Sequence, residues 1–125
     1  DLIIADIKAT SKNEFNWSET FNKYDYPKAY KRQLEMYQWL FKKNGFKVAQ
    51  EAYLIYFNGR KNEEFFQNTL HFDTHVIKLN CSTEWVEEKV IETANLLRSN
   101  IFPSPSNKCE LCNYLRKRWQ LSQKV

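Results

Sequence analysis

Asp1–Thr10 reads DLIIADIKAT. Leu2, Ile3, Ile4 and Ala5 form a short apolar run rich in β-branched residues, which predicts a buried strand. At its end the polarity turns sharply, to Asp6, Ile7 and Lys8. Side chains two apart on a strand share a face. Asp6 and Lys8 therefore leave the sheet side by side, an acid and a base at the rim of an apolar core. Metal-assisted hydrolysis of a phosphodiester uses this pairing. The carboxylate holds a divalent cation, and the ammonium beside it orients or deprotonates the attacking water. The same pairing is also an ordinary ion pair on a strand face, so the rest of the chain has to decide.

The totals set the frame. A chain of 125 residues makes about one domain around one core. Its 42% hydrophobic and 16% aromatic content excludes a disordered polymer. Two glycines and three prolines argue against a turn-rich all-β design. The net charge of +4 permits nucleic acid as a partner without requiring it. Three cysteines with one close pair do not make a disulfide framework, so a reducing cytoplasm is the expected setting. No run approaches the length of a membrane span, and no signal-peptide pattern is present. The strand-like run starts at Asp1 with no methionine and no lead-in, so the expectation is a piece of a longer protein, truncated at its N-terminal side.

Residues 9–26 are polar and aromatic and are expected to form a loop or lid. A helix is predicted over 27–44. Pro27 suits its first turn. Tyr30, Leu34, Tyr37 and Phe41 make the apolar stripe, widened by Met36 and Leu40. Lys42 and Lys43 suit its C-terminal end, and Asn44-Gly45 is the stop. Strands are expected within 48–80: Val48–Phe57, a candidate over Phe65–Thr69, and His75–Asn80, with Asn58-Gly59 read as a turn. A second helix over 83–99 is capped by Ser82 or Thr83 and presents Trp85, Val86, Val90, Ile91, Ala94 and Leu97 as its apolar side. Residues 101–125 form a proline-set loop and a basic tail, with a short helical stretch from Cys109 to Trp119. The order strand, helix, strands, helix, tail fits an α/β fold with a mixed sheet flanked by helices.

Gln33 and Tyr37 lie four apart on the first helix and share a face. They are either ordinary surface residues or neighbours of the Asp6–Lys8 strand end. There, an amide and a phenol can hydrogen-bond a phosphate or hold the lysine without adding negative charge.

The strand ending Asp6-Ile7-Lys8, a polar loop, a helix with Gln33-Leu34-Glu35-Met36-Tyr37, and a strand of the AYLIYF type together resemble the RecB-like branch of the PD-(D/E)XK nuclease superfamily. The tail, Phe102-Pro103 followed by Cys109-x2-Cys112-Asn113-Tyr114, is similar to the C-terminal end of RecB-type and CRISPR-associated exonucleases. The resemblance runs from Asp1 to about Tyr114. It implies a restriction-endonuclease-like fold and a metal-dependent deoxyribonuclease, exonuclease-like, in DNA repair, recombination or a CRISPR setting. DNA would be the partner, with a helicase or other repair or CRISPR proteins beside it, and no membrane. Asp6 would hold Mg²⁺ or Mn²⁺, with the carbonyl of Ile7 as a second ligand. Lys8 would activate water or stabilise charge, and Gln33 and Tyr37 would support Lys8 and the scissile phosphate. The second metal-binding acid that the family carries on its preceding strand is not among these residues. Asp1 points to the opposite face from Asp6, about 16 Å along at ~3.3 Å per residue. That gap favours a second reading, a nuclease-derived module that binds DNA or a partner without cutting.

Cys109 and Cys112 are half of a metal site. The iron–sulfur members of the family cluster three cysteines at this end. Here Leu115-Arg116-Lys117-Arg118-Trp119 follows instead, so no cluster is expected. The pair reads as a remnant packing as apolar thiols, or as half of a zinc site completed by His71 or His75. His71 and His75, on either side of Asp73, otherwise read as an exposed turn, and Cys81 as core. Glu14, Glu19 and Asp25 read as solvated. Phe15, Trp17 and Tyr24 either stack on nucleobases or pack on the core. Lys28, Lys31, Arg32, Arg116, Lys117 and Arg118 are candidate phosphate contacts, or solvated faces.

Overall fold

The computed structural model describes residues 1–64 and 68–123. The opening run forms strand β1, Leu2–Thr10. Helix α1, Trp17–Lys23, and helix α2, Tyr26–Lys43, lead to strand β2, Val48–Gly59, and then β3, Phe72–Asn80. Helix α3 is Val86–Arg98 and α4 is Glu110–Ser122. The strands lie in the order β1-β2-β3, β1 parallel to β2 and β2 antiparallel to β3. The expected α/β class with a mixed sheet therefore holds. Two compact units are distinguished, Asp1–Ile91 and Glu92–Val125. Among the described residues no helix is long and apolar enough to cross a membrane.

The register decides what faces α2. Ile4, Asp6, Lys8 and Thr10 pair with Ala52, Leu54, Tyr56 and Asn58, which pair in turn with Leu79, Ile77, His75 and Asp73. Alternation puts all twelve on one face. The core forms there, around Ile4, Leu34, Ala52, Leu54, Tyr56, Leu79 and Cys81, with Phe15, Trp17, Tyr30, Val48 and Ile77 packed against it. Leu34 and Leu54 are wholly buried, each contributing about 1.5–3 kcal/mol relative to exposure. Cys81 sits in this core as expected.

The other face corrects the first expectation. β1 is not buried on both sides: Ile3 is 53% exposed and Ile7 65%, and Val76 of β3 is 64% exposed. An unbroken apolar run does not say how many of its faces are covered.

Helix α2 starts at Tyr26 with Pro27 in its first turn, as expected of that proline, and ends in a left-handed Gly45 at φ +84°. Gly45 N–H donates to the Lys42 carbonyl and Phe46 N–H to that of Phe41, the double bond of a Schellman cap. Phe46 closes it by packing edge-on to Phe41, ring centroids 5.4 Å apart. The buried face of α2 differs from the apolar stripe. Leu34 is buried and Tyr30 half-buried, but Met36, Tyr37, Leu40 and Phe41 are exposed. Glu35 and Gln38 are buried in their place. Gln38 Nε2 donates to the carbonyls of Ala49 and Gln50, at 3.0 and 3.2 Å. Glu35 accepts from Ser82 N–H at 3.1 Å and Trp85 Nε1 at 2.8 Å. Each satisfies distant groups that local periodicity does not reveal.

Other expectations need correction. The stretch 9–26 is not a continuous loop: β1 runs on to Thr10, and α1 forms behind an Asn16 cap that accepts from Glu19 N–H. Asn58-Gly59 is not a turn. Both residues continue β2, paired with Asp73 and Phe72. Asn58 is buried because its amide grips the Lys12 main chain across from it. Of the candidate strand Phe65–Thr69, residues 65–67 lie outside the described residues, and Asn68 and Thr69 are not in a strand. The second helix begins at Val86 rather than 83. Of its predicted apolar side Val86 is wholly buried, whereas Val90, Ile91 and Leu97 are exposed. In the C-terminal unit, α4 extends to Ser122, and Cys109 caps it by accepting from Cys112 N–H.

Candidate active site

Asp6 and Lys8 leave β1 on the core face, two and four residues beyond the buried Ile4. Parallel pairing with β2 fixes the strand, and α2 packs across it, so the helix delivers Gln33 to the strand end. Lys8 Nζ lies 2.7 Å from Asp6 Oδ2 and donates to Gln33 Oε1 at 3.1 Å. The Tyr30 ring, one helical turn before Gln33, sits under the ammonium at 4.2 Å, a cation–π contact. Gln33 Nε2 in turn donates to the Tyr37 hydroxyl at 2.6 Å. The four expected residues thus form one relay, Asp6–Lys8–Gln33–Tyr37. Because Tyr37 accepts from Gln33, its own proton is left to donate outward.

The relay has one loose end. Asp6 Oδ2 is buried and accepts no aligned hydrogen bond despite its closeness to the lysine. A buried carboxylate oxygen in this condition suits a hard cation, as does the main-chain carbonyl of the next residue. Among the described residues, no group of three or more His, Cys, Asp or Glu is arranged to hold a metal.

The basic candidates are distributed. Lys28 is 3.5 Å from Asp25, and Lys31 is 3.9 Å from Glu35. Arg32 is exposed on α2 and makes no ion pair among the described residues. With Gln33, Met36, Tyr37, Leu40 and Trp85, Arg32 lines a shallow apolar groove of about 440 Å³. Arg116, Lys117 and Arg118 are exposed on α4 in the C-terminal unit.

His71 is exposed and lies between β2 and β3 as expected, but the rest of that stretch is not a turn. Asp73 and His75 belong to β3. Phe15 stacks on His75 at 4.2 Å. His71 Nδ1 lies 2.8 Å from Glu63. Arg60 grips Asp73 with two nitrogens, and that hydrogen bonding holds the Asp73 carboxyl below its ordinary value. Cys109 and Cys112 are free and half-buried. The Cys112 N–H lowers the Cys109 thiol, and Cys112 is raised in turn by its hydrogen bond with Cys109. Glu14, Glu19 and Asp25 are exposed, and Phe15 and Trp17 pack on the core.

Sequence reasoning missed Lys12, Tyr26 and Tyr56 beside the relay. Lys12 falls two strand steps beyond Lys8, which is the signal that could have placed it nearby. Tyr56 is the register partner of Lys8, which no local pattern reveals.

The family model of the PD-(D/E)XK nuclease superfamily matches residues 1–116. No curated protein and no solved structure gives a match. The matched span takes in both arms of the relay from Asp6 to Tyr37, and the chain belongs to the PD-(D/E)XK nuclease superfamily.

Proposed function

We propose that the chain carries the Asp-x-Lys half of a divalent-metal-dependent deoxyribonuclease of the RecB-like type, cutting DNA phosphodiesters from an end in repair, recombination or CRISPR processing. Membership in the superfamily supplies the coarse part, a hydrolytic, nuclease-type function on DNA. The observation that carries the finer reading is the ammonium of Lys8, held between the Asp6 carboxylate and the Gln33 amide over the Tyr30 ring.

Asp6 Oδ2 and the Ile7 carbonyl would hold Mg²⁺ or Mn²⁺, which supplies Lewis-acid polarisation of the phosphoryl oxygen when bound. This chain's own residues do the rest. Lys8 moves from Asp6 toward the scissile phosphate and donates to it, or orients the attacking water. Gln33 keeps the amine aimed through its carbonyl oxygen. Tyr37 keeps its proton and donates an outward hydrogen bond to a phosphate oxygen. Arg32, Lys28, Lys31 and the Arg116-Lys117-Arg118 run contact the DNA backbone and set the salt dependence of binding.

The test is Mn²⁺-dependent cleavage of end-labelled DNA. Lys8→Ala is expected to lose about 10²–10⁴-fold in rate while DNA binding persists. Full activity in Lys8→Ala would sink the mechanism. The second reading, a module that binds DNA or a protein partner without cutting, draws on the absence of a three-residue acid, histidine or cysteine group among the described residues. It predicts DNA binding by the wild-type chain with no cleavage in either metal.

A further inference from the structure

Beside the relay, on the Lys8 side, lies a cavity of about 350 Å³ whose lining includes Lys8, Lys12, Trp17, Tyr26, Tyr30 and Tyr56. It is within the size range of small-ligand sites. Its lining combines several aromatic rings with two ammonium groups and no carboxylate.

Two features mark it as built. The first is Tyr56. This residue is 5% exposed, yet its hydroxyl is buried with no hydrogen-bond partner. Burial pushes its phenol well up, so it stays a neutral O–H. An unsatisfied buried hydroxyl is costly, and a polar ligand atom in the cavity would satisfy it. The second is Lys12. Its main chain is clamped at both polar groups by the buried Asn58 amide: Lys12 N–H donates to Oδ1 at 2.8 Å, and Nδ2 donates to the Lys12 carbonyl at 3.0 Å. Its ammonium donates to Tyr26 OH at 2.7 Å and to Thr20 Oγ1 at 3.4 Å. Both are neutral, and Lys12 makes no ion pair with a described residue. A positive charge is thus fixed in place without its counter-charge.

We propose that this cavity is a nucleotide subsite that takes one unpaired base of single-stranded DNA, next to the phosphate presented to Asp6 and Lys8. Aromatic walls accept any base by its π-face. The Tyr56 hydroxyl meets a polar atom on the base edge. Lys12 takes the neighbouring phosphate, and Tyr26 and Thr20 hold its amine in position. A base enters such a cavity only when it is out of the duplex stack, so the subsite selects single strands or frayed ends over intact duplex. This deepens the nuclease reading of the same strand end and rests on it.

The experiment keeps the protein unchanged and varies the DNA. Fluorescence anisotropy in EDTA compares a short single-stranded oligonucleotide, the matching blunt duplex, and a series in which one abasic position is walked along the single strand. The single strand is expected to bind best. One abasic register should stand out with an affinity loss of about five- to a hundredfold, the usual worth of one stacked base. Lys12→Gln should weaken single strands of every sequence alike, lower their salt slope by about one, and leave the blunt duplex little changed. Tyr56→Phe, which keeps the ring, should retain the abasic penalty and change only the discrimination among bases. Equal binding of duplex and single strand with no sensitive register overturns the subsite. The same samples with Mn²⁺ separate the two readings. Cleavage without an abasic penalty removes the subsite alone. An abasic penalty without cleavage upholds the subsite and removes the nuclease.

Discussion

Helix α2 carries two polar pairs that differ in what they hold. Glu35 and Gln38 are buried, and their partners are mostly main-chain groups: the carbonyls after β2 begins, and Ser82 N–H beyond β3. Gln33 and Tyr37 are half-buried and exposed, and their partner is another side chain, the Lys8 ammonium. The first pair satisfies backbone that any fold of this kind must satisfy. The second orders groups that the fold itself does not require. Burial therefore ranks the pairs by what they do for the fold and says nothing of the site.

Mutations can break this contrast. Gln33→Leu should cost about ten- to a hundredfold in cleavage rate, the worth of a hydrogen bond to a charged group, with an unchanged urea midpoint. An unchanged rate would make Gln33 a bystander. Gln38→Ala should behave the opposite way. It loses about 1–3 kcal/mol of stability because buried carbonyls lose their donor, read as a lower urea midpoint, while the rate of the folded protein stays within about twofold of wild type. Tyr37→Phe sharpens the contrast within the relay. It removes one hydroxyl at the exposed end, so a loss of about two- to tenfold in rate is expected, without a change in stability.

The smallest effect lies away from both pairs. Arg60 holds the exposed Asp73 carboxyl below its ordinary value. A lowered carboxyl contributes stability above its unfolded value of about 3.9, and that contribution is lost as pH falls through the folded one. Arg60→Gln should therefore narrow the Tm difference between neutral and strongly acidic solution, slightly, because the pair is open to solvent. An unaltered acid limb would show that the pair contributes nothing.

Much of the frame was legible in the residues themselves. Asp6 and Lys8 share a face because strand periodicity is local, and Gln33 and Tyr37 share one because helix periodicity is local. Pro27 and Gly45 bracket α2 for reasons internal to the backbone. What escaped depends on partners far along the chain. Asn58-Gly59 has turn chemistry, yet it stays in β2 because Asn58 finds its hydrogen bonds in Lys12, 46 residues away. Helix α1 is short and polar, and Trp17 on the core anchors it, a tertiary contact that a reading of the loop composition could not supply. Glu35 and Gln38 look like surface residues until the carbonyls and the indole they serve are in place. Of the candidate site, the relay was readable in outline. The aromatic cavity beside it was not, since Lys8 and Tyr56 meet only through strand register.

The direction of the relay has one more consequence. Lys8 donates to Gln33, Gln33 donates to Tyr37, and the last hydroxyl is left to donate outward. Donors in series polarise one another, so part of the electropositive character of a half-buried ammonium is expressed at an uncharged phenol on the surface. Such a group recognises an oxyanion at contact but exerts almost no pull from a distance. Arg32, carrying a full charge nearby, does the reverse: it attracts over about a Debye length of 8–10 Å and fades as salt rises. If the helix meets a polyanion as proposed, Arg32 is the far-field element that draws it in and Tyr37 the near-field element that fits it.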